Sequence, residues 1–156
     1  MSQFKDVLNN IIIGKRSGAE MYNRIFVVSA YNNVTNWLLE HKKTGAPGIY
    51  VKFLNDDNYE AALDELCQKL IALNRDYEEI KLDQKVADEF IINRIEKAKS
   101  FLRSMHNVLA SGYVDRKDLY LAAREILSSI GEAHSAFNSV NIIKNNGINA
   151  KFIDLC

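Results

Sequence analysis

Cysteine is scarce in this chain. Cys67 and Cys156 are far apart, and the second is the last residue. Two such residues make no disulfide framework, so a reducing cytoplasm is the expected setting. An excess of either charge is missing too: 20 basic residues balance 20 acidic ones. That balance argues against nucleic acid or an anionic membrane as the main partner. No apolar run approaches the ~20 residues that span a bilayer. The first thirteen residues carry Asp6 and several amides, so they do not read as a signal peptide. Proline occurs once, at Pro47 inside Gly45-Ala46-Pro47-Gly48, a break between elements. What remains is 156 residues with 47% hydrophobic content, enough for the core of one ordinary domain.

Residues 25–36 organise the rest. Ile25-Phe26-Val27-Val28 is a short apolar run with three β-branched members, which reads as a strand buried on both faces, the habit of parallel sheets. Ser29, Ala30, Asn32 and Asn33 form a small polar turn, and Thr35 stands before Trp37, Leu38 and Leu39 as a helix-start signal. Strand, turn and helix start are predicted in that order. In open α/β sheets ligands collect at such junctions, although many are mere connections.

Helix dominates elsewhere. Ser2 is placed to cap a first helix whose stripe is Phe4, Val7, Leu8, Ile11 and Ile12, with Gly14 and Gly18 bracketing its end. Gly14-Lys15-Arg16-Ser17 is not a phosphate loop, because no glycine lies five residues earlier and a helix precedes it. After the strand at 24–30, a helix is expected from about Val34 to Lys43 and an irregular connection over 49–57. Two long helices follow, roughly Asn58–Glu79 and Gln84–Ala110. Tyr59, Leu63, Leu66, Leu70, Leu73 and Tyr77 on the first match Ile91, Ile95, Ala98, Leu102, Met105 and Leu109 on the second. Two seams joined by a short charged link predict an antiparallel hairpin over 58–110. Asp115 looks like the next cap. The stripe from Leu119 to Val140 keeps its phase across Gly131, so one nearly continuous helix is expected. Asn145-Asn146-Gly147 should stop it, and 150–155 reads as a second short strand, parallel to the first in one sheet.

No metal site can be read. His134 is two residues from Glu132, which on a helix puts them on different faces, and His41 and His106 have no ligand-spaced neighbours. All three read as structural or solvent-facing. Cys67 lies near the Leu63–Leu70 seam and reads as a small core residue. From position alone Glu132 is a solvated helical glutamate.

Two blocks carry a family resemblance. Val27-Val28-Ser29-Ala30, then Val34-Thr35-Asn36, resembles the aspartate-kinase Ser-Ala turn followed by Gly-(Ile/Val)-Thr-Asn. Gly131-Glu132-Ala133-His134-Ser135-Ala136, then Gly147-Ile148-Asn149-Ala150-Lys151-Phe152-Ile153-Asp154, is similar to that family's Gly-Glu-x-x-Ser block with its following strand. The resemblance implies an α/β fold: a helix-dominated piece of an amino-acid-kinase three-layer sandwich with a mostly parallel sheet. Residues 1–156 would be its partial, aspartate-binding N-terminal lobe. By the same resemblance Glu132 takes the α-ammonium of L-aspartate, and Ser29 and Thr35 line the amino-acid pocket. Ser135 matches the family's serine, as a support of the helix. The full-length family uses ATP and Mg to phosphorylate the β-carboxylate. Tyr31, the Leu38–Lys43 segment and the Gly131–Asn138 block are similar to the ectoine-type members.

Departures set further expectations. Asn33 stands where the family has glycine, and asparagine tolerates the left-handed conformation better than other side chains. The family's Lys-x-Gly-Gly and Gly-Arg-Gly-Gly-Ser-Asp blocks have no counterpart here, so no catalytic residue is assigned and no productive ATP binding is expected. Lack of a first strand beside 24–30 would leave an edge open to self-association. The competing reading is a non-catalytic helical module that associates through the hairpin.

Overall fold

The computed structural model describes residues 2–155, with the side chains of Ser2 and Gln3 outside the described set. The capping role expected of Ser2 therefore falls outside it, as does Cys156. α1 starts as Ser2–Val7 and continues with wider π-type winding over Leu8–Ile13. Then come α2 (Val34–Leu38), α3 (Ile49–Leu54), α4 (Tyr59–Arg75), α5 (Gln84–Ser111) and α6 (Arg116–Asn145). Short 3₁₀ turns occupy Gly18–Met21 and Glu78–Ile80.

The seams read from the sequence are the core. Leu63, Leu66 and Leu70 of α4 meet Ile91, Ile95, Ala98, Leu102 and Met105 of α5. α6 closes the other side of α5 with Ala123, Leu127 and Ile130. Polar pairs along the α4–α5 flank report the antiparallel register. Arg103 Nε donates to Glu60 Oε1 at 2.7 Å, Lys99 bridges Asp64 and Glu96, and Asn74 Nδ2 donates to Asp88 Oδ1 at 2.7 Å. Partner numbers rise on one helix as they fall on the other. The exposed Arg103–Glu60 pair stabilises little, and with the half-buried pairs of Lys99 and Asn74 it fixes the alignment. Asp83 caps α5 through the Val86 amide, and Asp115 caps α6 through the Lys117 amide, the latter as expected. α6 runs unbroken through Gly131 and stops before Gly147, whose φ is +83°. Cys67 is buried in the seam, also as expected.

A second cluster joins Leu8 and Ile12 of α1 to Ile80, Leu82 and Ala87 at the start of α5 and to Ile142, Ile143 and Ile148 at the end of α6. The stripe expected on α1 is split. Leu8 and Ile12 are buried, whereas Val7 and Ile11 face outward. The π-type winding turns the face that a regular helix would have kept aligned.

The expected mostly parallel sheet is not formed: among the described residues there is no strand, only an isolated antiparallel bridge between Glu40 and Pro47. The run at 24–30 is irregular and unpaired, and instead of being covered on both faces it leaves Ile25 87% and Val27 94% exposed. Residues 150–155 are also irregular, with Ile153 and Leu155 outward. The physical reason is that β-branched runs become strands only with cross-strand partners. Here each lies against helices on one side. Phe152 packs edge-on against the stacked pair Phe90 and Phe137, and Arg94 holds Asp154. The architecture is therefore helical.

Two further expectations are corrected. The helix from Val34 ends at Leu38 rather than near Lys43, because the chain turns back and the Gly48 amide takes the Leu39 carbonyl at 3.0 Å. His41-Lys42-Lys43 consequently lies in a loop. The connection at 49–57 contains α3, whose Ile49 and Phe53 are buried one turn apart.

That turn-back depends on Gly48. A Cβ there would stand 2.5 Å from the Leu39 carbonyl oxygen and 2.8 Å from that of Asn36, both backbone atoms. Gly48→Ala should therefore destabilise the chain by about 1–3 kcal/mol, read from urea unfolding. An unchanged midpoint would contradict this close approach.

Candidate functional site

The two sequence blocks meet on one face of α6. Gly131 and Ser135 are one helical turn apart and so share that face. At Gly131 a Cβ would lie 2.9 Å from both Ala30 Cβ and Val34 Cγ1, so the missing side chain is what lets residues 30–34 rest on the helix. At Ser135, itself buried, Oγ donates to the Ser29 carbonyl at 2.7 Å. The turn between is closed by the Val34 amide on the Tyr31 carbonyl at 3.1 Å. Asn33 has φ +66°, the left-handed conformation that its place in the motif requires. Asn33, not Thr35, precedes α2; Thr35 sits within the first turn, half-buried.

Ser29 and Glu132 are exposed. The backbone carrying Ser29 and Thr35 is thus brought to the turn of α6 that carries Glu132. No hydrogen bond or ion pair joins their side chains among the described residues. Two concavities elsewhere hold about 360 and 160 Å³. The first is lined by Asp56, Tyr59, Glu60 and His106, the second by Trp37, Gly48, Lys52 and Lys69. None of Ser29, Thr35 and Glu132 lines either.

Behind the junction lies a polar cluster that the sequence reading missed. His134 Nε2 and Asn138 Nδ2 each stand 2.8 Å from Asn74 Oδ1, and all three residues are fully buried. The contact makes Nε2 the protonated nitrogen, donating to Asn74. Tyr31 packs edge-on to the imidazole, 5.4 Å between centroids, and against Tyr77 at 5.3 Å. Burial pushes the His134 imidazole down to about 4. Burial first, then the neighbouring Tyr77, raises the Tyr31 phenol well above its usual value. A signal was available: Asn74 lies four residues after Leu70, and Asn138 four after His134, both in line with buried stripes.

One basic, glycine-flanked stretch is poorly placed to hold a phosphate. The Gly14–Gly18 stretch follows the carbonyl end of α1, where the dipole repels anions. Arg16 within it is engaged, Nη1 donating to the Ile11 carbonyl at 2.8 Å, and so is the nearby Arg24, Nη2 donating to the Ile12 carbonyl at 2.6 Å. No group of three His, Cys, Asp or Glu side chains is arranged to hold a metal among the described residues. Nor is any helix there long and apolar enough to cross a membrane.

Comparison with known proteins bears on the same blocks. The aspartate kinase Ask_Ect of Stutzerimonas stutzeri (strain A1501) is 44% identical over 158 aligned residues, covering 99% of this chain and 33% of that protein. This chain is homologous to part of an aspartate kinase. The resemblance carried by the Ser29 and Glu132 blocks thus extends along the length of the chain. The chain spans about a third of the length of the curated relative it matches. No family model matches it, and no solved structure does.

The buried imidazole makes stability pH-dependent. In the unfolded chain it takes up a proton below about 6.5, and in the folded chain only near 4. The unfolded state therefore binds more protons between those values, so stability is full above 6.5 and falls as pH drops toward 4. The loss should be on the order of 3 kcal/mol in urea unfolding. His134→Gln, though less stable at neutral pH, should show a shallower slope. Parallel slopes would show that another group titrates.

Proposed function

We propose that this chain is the aspartate-binding portion of an aspartate kinase, the N-terminal lobe of an amino-acid-kinase domain with the 58–110 hairpin inside it. The whole enzyme would catalyse attack of the L-aspartate β-carboxylate on the γ-phosphate of ATP, releasing ADP and 4-phospho-aspartate, in the cytoplasm. The product would feed synthesis of lysine, threonine and methionine, or of ectoine. Glu132 takes the α-ammonium by a charge-assisted hydrogen bond, and the Ser29 and Thr35 hydroxyls line the same pocket. The carrying observation is the seating of residues 29–34 on the α6 turn that bears Glu132. It puts two blocks a hundred residues apart in sequence at one place. The homology supports the chemistry.

Catalysis in such a reaction is mostly alignment and charge neutralisation around the phosphoryl group. The cations and glycine-rich turns for that task have no counterpart in these 156 residues. ATP and Mg would be held by other parts of a whole enzyme. Self-association would cover the outward side chains Ile25 and Val27, in place of the strand edge that is not formed.

Purified alone, the 156-residue chain should release no ADP above a blank when given L-aspartate, ATP and Mg. Its L-aspartate binding, followed by NMR titration, should weaken about ten- to a hundredfold in Glu132→Gln, as expected for a lost bond to a charged group. Equal binding by both chains would remove Glu132 from the pocket. Turnover by the isolated chain would overturn the division of labour.

A further inference from the structure

We propose that Ser135 is a positioning residue. Its hydroxyl, with the bare backbone of Gly131 one turn earlier, clamps the 29–34 turn to α6 and so sets Ser29 and Thr35 against Glu132. For what the clamped turn binds, this rests on the aspartate reading above.

A serine inside a helix ordinarily returns its proton to its own helix. Others here do so: Ser104 to the Ser100 carbonyl at 3.0 Å, Ser128 to that of Glu125 at 2.9 Å, Ser129 to that of Ile126 at 2.8 Å, Ser139 to that of Ser135 at 2.7 Å. Ser135 differs. Its own-helix contact, to the Glu132 carbonyl, is the longer one at 3.2 Å, and the short bond of 2.7 Å crosses to Ser29. The crossing matters because of where it lands. Among the described residues, no backbone group of 24–30 bonds to another backbone group. The stretch is tied by hydrogen bonds at its two ends: at its start the Arg24 guanidinium donates to the Met21, Ile11 and Ile12 carbonyls, and just before the turn the Ser29 carbonyl accepts from Ser135.

Gly131 supplies the steric half. With Ala30 and Val34 both 2.9 Å from where its Cβ would be, the turn sits as close to the helix as backbone allows. Tyr31 wedges the far side against His134. The turn is held by a hydroxyl below, a missing side chain in the middle and an aromatic ring behind. Glu132 lies between the two clamping positions in sequence. A shift of the turn along or away from α6 would change the distance from Ser29 to the Glu132 carboxylate without altering either residue.

The test uses the full ¹⁵N-labelled chain with Ser135→Ala, Ser135→Thr and Gly131→Ala. Two readouts are taken: hydrogen exchange at the Val34 and Trp37 amides, which close the turn and open α2, and L-aspartate titration. Ser135→Ala should speed exchange at both amides about tenfold and weaken L-aspartate binding to a similar degree, with α4 and α5 protection unchanged. Ser135→Thr, which keeps the hydroxyl, should restore both. Gly131→Ala should reproduce the loosening although the Ser135 hydroxyl remains. Wild-type exchange at Val34 and Trp37 in Ser135→Ala, or a uniform loss of protection through every helix, overturns the clamp. Faster exchange at those amides in a chain whose wild type binds no L-aspartate supports the clamp and removes the aspartate reading instead.

Discussion

The burial of α5 between α4 and α6 is the constraint on which the rest of the molecule depends. Leu63, Leu70, Ile91, Ile95, Leu102, Leu127 and Ile130 are at most 1% exposed. Each such side chain contributes about 1.5–3 kcal/mol when taken fully out of water. No other part of the chain has a comparable supply of apolar area. α2 and α3 are five and six residues long, too short to stand alone, and they persist by laying Val34, Leu38, Ile49 and Phe53 on this frame. The irregular stretches at 24–30 and 150–155 are guests on it as well. One is pinned by Ser135, the other by the Phe152 contacts and Arg94. A disturbance of the three-helix frame therefore reaches the Ser29–Glu132 junction, whereas a disturbance of the junction leaves the frame its core.

The long helices were legible because helical spacing is a repeated signal. Six apolar positions on each hairpin arm agree with one another, and the phase across Gly131 was enough to carry α6 through a glycine. The strands were misread for a physical reason. Ile25-Phe26-Val27-Val28 is equally consistent with a doubly buried strand and with an extended segment lying on helices, and four residues hold no periodicity to separate the two. Partners decide, and partners are not local. α3 escaped notice because its buried positions number only two, and because its start depends on the Gly48 backbone touching Leu39, a contact with no sequence signature. Thr35 had the composition of a cap, but Asn33 in its left-handed conformation already begins the helix.

At the candidate site the sequence located the blocks but not the seating. Gly131 and Ser135 were visible as motif members. Their common face was implied by spacing, but nothing in spacing shows that a glycine meets Ala30 and Val34. The Asn74–His134–Asn138 cluster was open to the same reasoning: His134 read as structural or solvent-facing, and Asn74 and Asn138 were not placed at all. Placed by stripe position they fall inside. Buried and mutually bonded, they resist sliding of α6 along α4, because an offset would leave amide groups unpaired in an apolar interior.

Three different exceptions to local preference meet at one place in this chain, although Asn23, Asp56 and Lys81 also take positive φ elsewhere. A glycine in the middle of a long helix costs about 1 kcal/mol relative to alanine. A non-glycine residue at positive φ is uncommon. A histidine held far from its usual titration range opposes folding in weak acid. Gly131, Asn33 and His134 are one each of these, and all three lie where residues 29–34 cross α6. Along α4 and α5, by contrast, stripe and burial agree at most turns, with Asn74 and Lys99 as the buried polar exceptions. Such agreement is what stability alone asks of a sequence, and local conflicts tend to gather where something besides stability is required. The conflicts at this crossing share one geometric result. Each serves to bring the Ser29–Val34 turn against the helix beside Glu132: Gly131 by vacating space, Asn33 by bending the chain into α2, His134 by giving Tyr31 a surface to pack on. Burying apolar area would have been better served by alanine at the first of these positions and an apolar side chain at the third. Close apposition of the two blocks is the result that accounts for all three.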